Sequence, residues 1–234
     1  MLSPLALVRT LAARYPDVVP LLSPRARLLA AKPTEYKTYD YFLSTLERMI
    51  TNVYEGNLGG EFVDIMASLI QGQLTQAYEQ AWKDEEGEGA LPDYLTAPLE
   101  DLILSQYDHV DQLYRDIVDA RVDETDIAPL LSRAALWAER WNEAYNQAVL
   151  LITSENGGNL VWRLGATEEH CEVCSALNGV IAPASVWDEL GVHPQGAPND
   201  LLTCGGWRCD CSLESTTQRR SPKAYDAILN AVGK

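Results

Sequence analysis

The chain has 234 residues, 18 of them Lys or Arg and 34 Asp or Glu, for a formal charge of −16; 47% of residues are apolar and 22% charged. That mix belongs to a water-soluble globular protein with material for a proper core, which excludes wholesale disorder and rod-like repeats. It also excludes a general coat for nucleic acid, because a body this acidic repels phosphate backbones.

The charge is unevenly spread. Residues 1–37 carry six basic and two acidic side chains, residues 38–160 six and 23, and residues 161–234 six and nine. No apolar stretch is long enough to span a bilayer, so no membrane role is expected. The opening MLSPLALVRTLAARYP has no basic segment ahead of its apolar residues and is interrupted by Arg9. The expectation is a chain made in the cytoplasm and not exported.

Residues 1–37 hold Pro4, Pro16, Pro20, Pro24 and Pro33. They read as a basic, Pro-rich arm with brief helices at 4–14 and 24–31, ordering against a partner. From Tyr39 the pattern is helical. Tyr41, Phe42, Leu46, Met49, Ile50 and Val53 form one apolar stripe, and Phe62, Ile65, Met66, Leu69, Ile70, Leu74, Ala77, Tyr78 and Ala81 a second. Gly56, Gly59 and Gly60 separate them. Thr96, Pro98, Glu100 and Asp101 predict the start of a third helix through Val118. Leu130, Leu131, Ala134, Trp137, Trp141, Ala144, Tyr145, Ala148, Leu151 and Ile152 mark a fourth, ended by the glycines of SENGGN. Trp137 and Trp141 read as core.

The last third changes character. Strands are predicted at 160–164, 180–181 and 207–213, with Ser185 capping a short helix to Leu190 and a final helix at 222–232. The predicted fold is mainly α: a helical body of about four long helices, then a small α+β Cys-rich module resembling a zinc knuckle. The segments are an arm (1–37), a helical domain (38–158), a metal-binding module (159–215) and a tail (216–234).

All five cysteines lie in that module, as Cys171-x2-Cys174, a 29-residue spacer, then Cys204-x4-Cys209-x-Cys211. Two short cysteine groups separated by a loop are the pattern of a structural zinc site, which takes four ligands in a tetrahedron. One Zn2+ per chain is expected. Five thiols compete for four positions: Cys171 and Cys174 come first and Cys209 next, while spacing does not order Cys204 against Cys211. If 207–213 is a strand, Cys209 and Cys211 share one face and Asp210 takes the other. His170 and His193 are weaker candidates, and Arg163 and Arg208 are placed to offset thiolate charge. Buried reduced thiols or disulfides are the alternatives.

Chemistry is poorly supplied. The chain has three histidines, no H-E-x-x-H, no G-x-S-x-G and no phosphate loop. His170-Cys171-Glu172 superficially matches the H-x-E of zinc deaminases, but the C-x2-C begins inside that triplet instead of following it downstream. No enzyme is expected, and no catalytic residue is assigned.

Residues 130–215 resemble the Mu F-like, or head-morphogenesis, minor head proteins of tailed bacteriophages. The likeness rests on Trp162-Arg-Leu-Gly, on Cys171-Glu-Val-Cys174-Ser-Ala-Leu177-Asn-Gly179, and on the closing Cys209-Asp-Cys211. The Arg133…Trp137…Trp141…Tyr145 helix resembles the family's lead-in. The family's histidine before C-x-C is absent here, and Cys204 stands near its place. The resemblance implies a virion component inside the capsid, made in the host cytoplasm and associated with the portal. Implied partners are the portal protein, the major capsid protein, and also scaffold or packaged DNA. The alternative is a nucleic-acid-binding zinc module for genome packaging or ejection, using Trp207, Arg208, Arg219, Arg220 and Lys223.

Overall fold

A computed structural model describes residues 8, 10, 12–15, 33–86, 88–166, 169–196, 198–207 and 209–233. The fold is mainly helical with a small sheet near the cysteines. Its described residues form two compact units, one from Met1–Gln76 with Pro92–Trp141 and the other from Ala77–Leu91 with Asn142–Lys234.

In the first unit, α1 (Tyr39–Glu55) starts where the Thr38 side chain accepts the Tyr41 N–H and stops at Gly56, whose φ of 80° suits a residue without Cβ. The predicted stripe is its buried face: Phe42, Leu46, Met49, Ile50 and Val53. Tyr41 is exposed. Helix α2 (Glu61–Glu86) begins in this unit, and residues 69–74 are buried in succession, including Gln71 and Gln73. A glutamine there needs partners, and Gln73 Nε2 donates to the carbonyls of Trp137 and Ala138 at 2.9 and 3.0 Å. Ile65, placed in the second stripe by spacing, is exposed.

The predicted third helix is two. α3 (Asp93–Ser105) and α4 (Tyr107–Val122) meet at Gln106, whose φ and ψ of −79° and −18° depart little from helical values. The chain therefore keeps its periodicity across the break. Thr96 is not the cap, because the helix begins at Asp93 behind Pro92, and Thr96 Oγ1 donates to the Asp93 carbonyl. This earlier start buries Leu95, Leu99 and Ile103 and leaves Leu102 and Leu104 only half-buried. α4 packs on both α1 and α3. α5 (Ala128–Glu155) is the predicted fourth helix and ends before Gly157, at φ 64°. Trp137 is buried, and Trp141 is half-buried with its ring stacked on Tyr36 at 6.3 Å.

The arm's last residues lie on their own chain. Thr34 exchanges backbone and hydroxyl hydrogen bonds with Ser68 of α2, and Tyr36 packs on Phe42. Residues 8, 10 and 12–14 are helical, inside the predicted 4–14; the helix predicted at 24–31 lies outside the described residues. The contact explains a buried helical glycine: a Cβ on Gly72 would stand 1.6 Å from the Thr34 carbonyl oxygen. In an open helix Gly→Ala gains about 1 kcal/mol. Here the sign reverses, and Gly72→Ala is expected to lose about 1–3 kcal/mol by forcing Thr34 away. Urea denaturation checks this, and a stabilised variant contradicts it.

In the second unit, a three-stranded antiparallel sheet has the order β2-β1-β3: β1 (Asn159–Arg163) lies between β2 (Ile181–Pro183) and β3 (Ser212–Thr216). Between β1 and β2 lies α6 (Glu172–Leu177); after β2 come α7 (Ala184–Leu190) and, past β3, α8 (Ala224–Ala231). Ser185 lies inside α7, and Pro183 precedes it without a side-chain cap. α8 covers α6 and β2. Ser221 fastens the edge of β2, its N–H donating to the Ile181 carbonyl and its Oγ accepting the Ile181 N–H. Trp162 and Trp187 are fully buried with ring centres 5.8 Å apart, and Trp187 Nε1 donates to the Leu160 carbonyl. No helix among the described residues is long and apolar enough to cross a membrane.

Candidate metal centre

β1 delivers the chain to the first cysteine pair. Cys171 is the residue before α6, and its Sγ accepts the Cys174 N–H at 3.3 Å, as a serine cap would. Three residues apart, the two side chains fall on the same side of the turn. The Gly179 N–H then donates to the Trp162 carbonyl, tying the end of this turn back to β1.

The long loop to the second group is organised by Asn199. Its side chain donates to the carbonyls of Gly191 and His193 and accepts the Leu201 N–H, while its backbone N–H reaches the Gly205 carbonyl. Gly205 and Gly206, at φ 64° and 78°, reverse the chain after Cys204 through a conformation L side chains rarely adopt. Asn146, buried on α5, accepts the Leu213 N–H and donates to Gln195, so it fixes both the start of β3 and the loop.

The strand predicted at 207–213 is displaced. β1 ends at Arg163, opposite Ser212, so residues before Ser212 have no ladder partner. The alternation argument for Cys209, Asp210 and Cys211 therefore fails, because it holds only in a strand. Asp210 is not turned away: His170, Asp210 and Cys211 place one donor atom each within 4.8 Å of one another.

All five predicted cysteines come together. Cys171, Cys174 and Cys204 form one group of sulfurs within 4.8 Å of one another, and Cys174, Cys209 and Cys211 form another. The Cys174 and Cys209 sulfurs are 4.0 Å apart, and His170 Nδ1 is 3.8 Å from Cys211 Sγ. Every cysteine is a free thiol. Cys174 and Cys211 are buried, the other three partly so. These groups can hold a metal ion. The donors suit one, since several thiols in a small, part-buried space are the ligand set of thiophilic ions. His193 joins none of the groups among the described residues; burial lowers its pKa, Asp188 working against that.

The thiols share protons unevenly. Hydrogen bonds from Cys174 and then Cys209 hold Cys211 far below the usual thiol range, helped by the Gly165 N–H and His170 against burial. Cys171 is also lowered: burial opposes ionisation, but hydrogen bonds from Cys174 and Cys204 outweigh it. Cys174 is raised, first by its bonds to Cys209 and Cys211 and then by burial. Cys204 is raised chiefly by burial. Cys209 is drawn down by Cys174 but pushed up to about 12 by Cys211 and burial. Arg163, expected to offset thiolate charge, bonds Glu214 at 3.4 Å. Arg208 lies outside the described residues.

Spacing also gave no sign of Gly165. A Cβ there would stand 2.1 Å from Asp210 Cγ and 2.2 Å from its carbonyl oxygen, so the backbones of the two cysteine-bearing segments approach only because residue 165 has no side chain. Gly165→Ala is expected to push the Cys209–Cys211 segment outward and weaken metal binding at least tenfold, about 1.4 kcal/mol. Competition with a chromophoric chelator measures this, and unchanged affinity contradicts it. The Gly after Trp162-Arg-Leu was visible in the sequence, but only the fold shows what faces it.

No protein-family model, curated protein or solved structure matches the chain.

Proposed function

We propose that this chain is a structural minor head protein of a tailed bacteriophage, internal to the capsid and associated with the portal, with its carboxy-terminal region stapled by zinc. The convergence of cysteines from two stretches 29 residues apart, beside the strand that carries Trp162, is the observation that carries the reading. It is the arrangement that the Mu F-like resemblance calls for. Zinc is the ion because thiolates with a neighbouring imidazole are its structural ligands. A small sheet with short helices is also the kind of element that a metal stabilises.

The role is structural and not enzymatic. The donors are predominantly thiols, the usual ligands of structural zinc, and Glu172, the one acid of the His170-x-Glu172 triplet, is exposed. Capsid interior, portal and major capsid contact, and proximity to scaffold or packaged DNA follow as expectations of the same reading. Purification of mature particles tests the proposal: the chain is expected at low, fixed copy number, and in complex with the portal after mild disruption. Particles that lack it contradict the proposal.

A further inference from the structure

The five sulfurs do not form a single group within 4.8 Å of one another. They form two sets of three that share Cys174, and a third set of His170, Asp210 and Cys211 continues from the second. A zinc ion holds thiolates at about 2.3 Å in a tetrahedron, so its sulfurs stand on the order of 3.8 Å from one another. The Cys174–Cys209 separation of 4.0 Å and the Cys211–His170 separation of 3.8 Å are of that size, and both belong to the second set and its extension. A single ion there leaves Cys171 and Cys204 as a pair of thiols beside it, with Cys174 still within reach of both.

Corner sharing is the arrangement in which one thiolate bridges two ions. We propose that the cluster binds two zinc ions, with Cys174 Sγ common to both. Cys171 and Cys204 complete the protein's donors to the first ion. Cys209 and Cys211 complete the protein's cysteine donors to the second, with His170, whose Nδ1 is 3.8 Å from Cys211 Sγ, beside its remaining corner. The fourth corner of the first ion is left to water or a small thiol, since Cys171 and Cys204 are only partly buried.

Cys174, whose sulfur is the one shared, is buried, as is Cys211.

The two-ion centre presupposes the zinc reading above, and metal counting separates their fates. The full-length chain, saturated with zinc and freed of excess, is expected to carry two ions by native mass spectrometry. After exchange into cadmium, the metal NMR spectrum is expected to show two resonances in the sulfur-rich range, split by coupling through the shared sulfur. Cys204→Ser is expected to hold one ion and to lose the coupling while keeping the helical circular dichroism of the parent. One ion per chain with a freely alkylated fifth thiol overturns the two-ion centre and leaves the zinc reading standing. Two uncoupled resonances, or two ions retained by Cys204→Ser, also overturn it. A chain that binds no ion removes both.

Discussion

Replacing Cys174 with serine, or stripping the metal with a strong chelator, is expected to unfold the Cys-rich region of the second unit and expose Trp162 and Trp187 to solvent. Cys174 is buried to 1% exposure, and its sulfur belongs to both cysteine groups. Structural zinc contributes about 10–16 kcal/mol to the folding of small peptides. This region also has a core of its own in Leu160, Trp162, Leu177, Trp187, Leu213 and Ile228, so the whole of that energy is not at stake. A loss above about 4 kcal/mol, at the extreme of single substitutions, is still expected. Tryptophan fluorescence should shift to longer wavelength, while the far-ultraviolet signal from α1, α3 and α4 changes little. Acid acts in the same direction, because protons compete with the metal for thiolate. A Cys174→Ser chain as stable as its parent to within about 0.5 kcal/mol contradicts the expectation.

Trp187→Ala is expected to have the next largest effect, about 3–5 kcal/mol. The indole is fully buried against Trp162, and its N–H reaches the Leu160 carbonyl of the central strand. Truncation leaves a cavity beneath the sheet on which the cysteine segments hang. Trp187→Phe keeps much of the apolar contact and forfeits the N–H···O bond, at about 1 kcal/mol for that bond. Urea midpoints of the two variants, with unchanged denaturant slope, separate packing from hydrogen bonding. Equal losses for phenylalanine and alanine would assign the role to the hydrogen bond instead.

The helical part was legible where one face is buried and the other is wet. In α1 the apolar spacing names the buried residues Phe42, Leu46, Met49, Ile50 and Val53. It was less legible in α2, where residues 69–74 are buried in succession and a stripe has no meaning. The break at Gln106 left no mark, since the backbone there barely leaves helical angles. A threonine near a proline suggested a cap at Thr96, but the chain had already turned helical at Asp93.

At the candidate metal centre, residue types and spacing named all five cysteines, because thiols that converge in the fold are also clustered along this chain. They did not show how the sulfurs divide around Cys174, nor that Asp210 stays with Cys211. Those facts depend on where β1 ends, on the Asn199 loop, on Asn146 holding Leu213, and on the close approach at Gly165. Each is a contact between distant positions. A glycine or asparagine in a sequence carries no label for the partner it will meet.

Zinc-edge X-ray absorption on the full-length chain, purified without added chelator, tests the central claim most directly. A first shell dominated by sulfur at about 2.3 Å is the expected result. A shell of nitrogen and oxygen alone, or a chain that retains no zinc while its five thiols react freely, contradicts it.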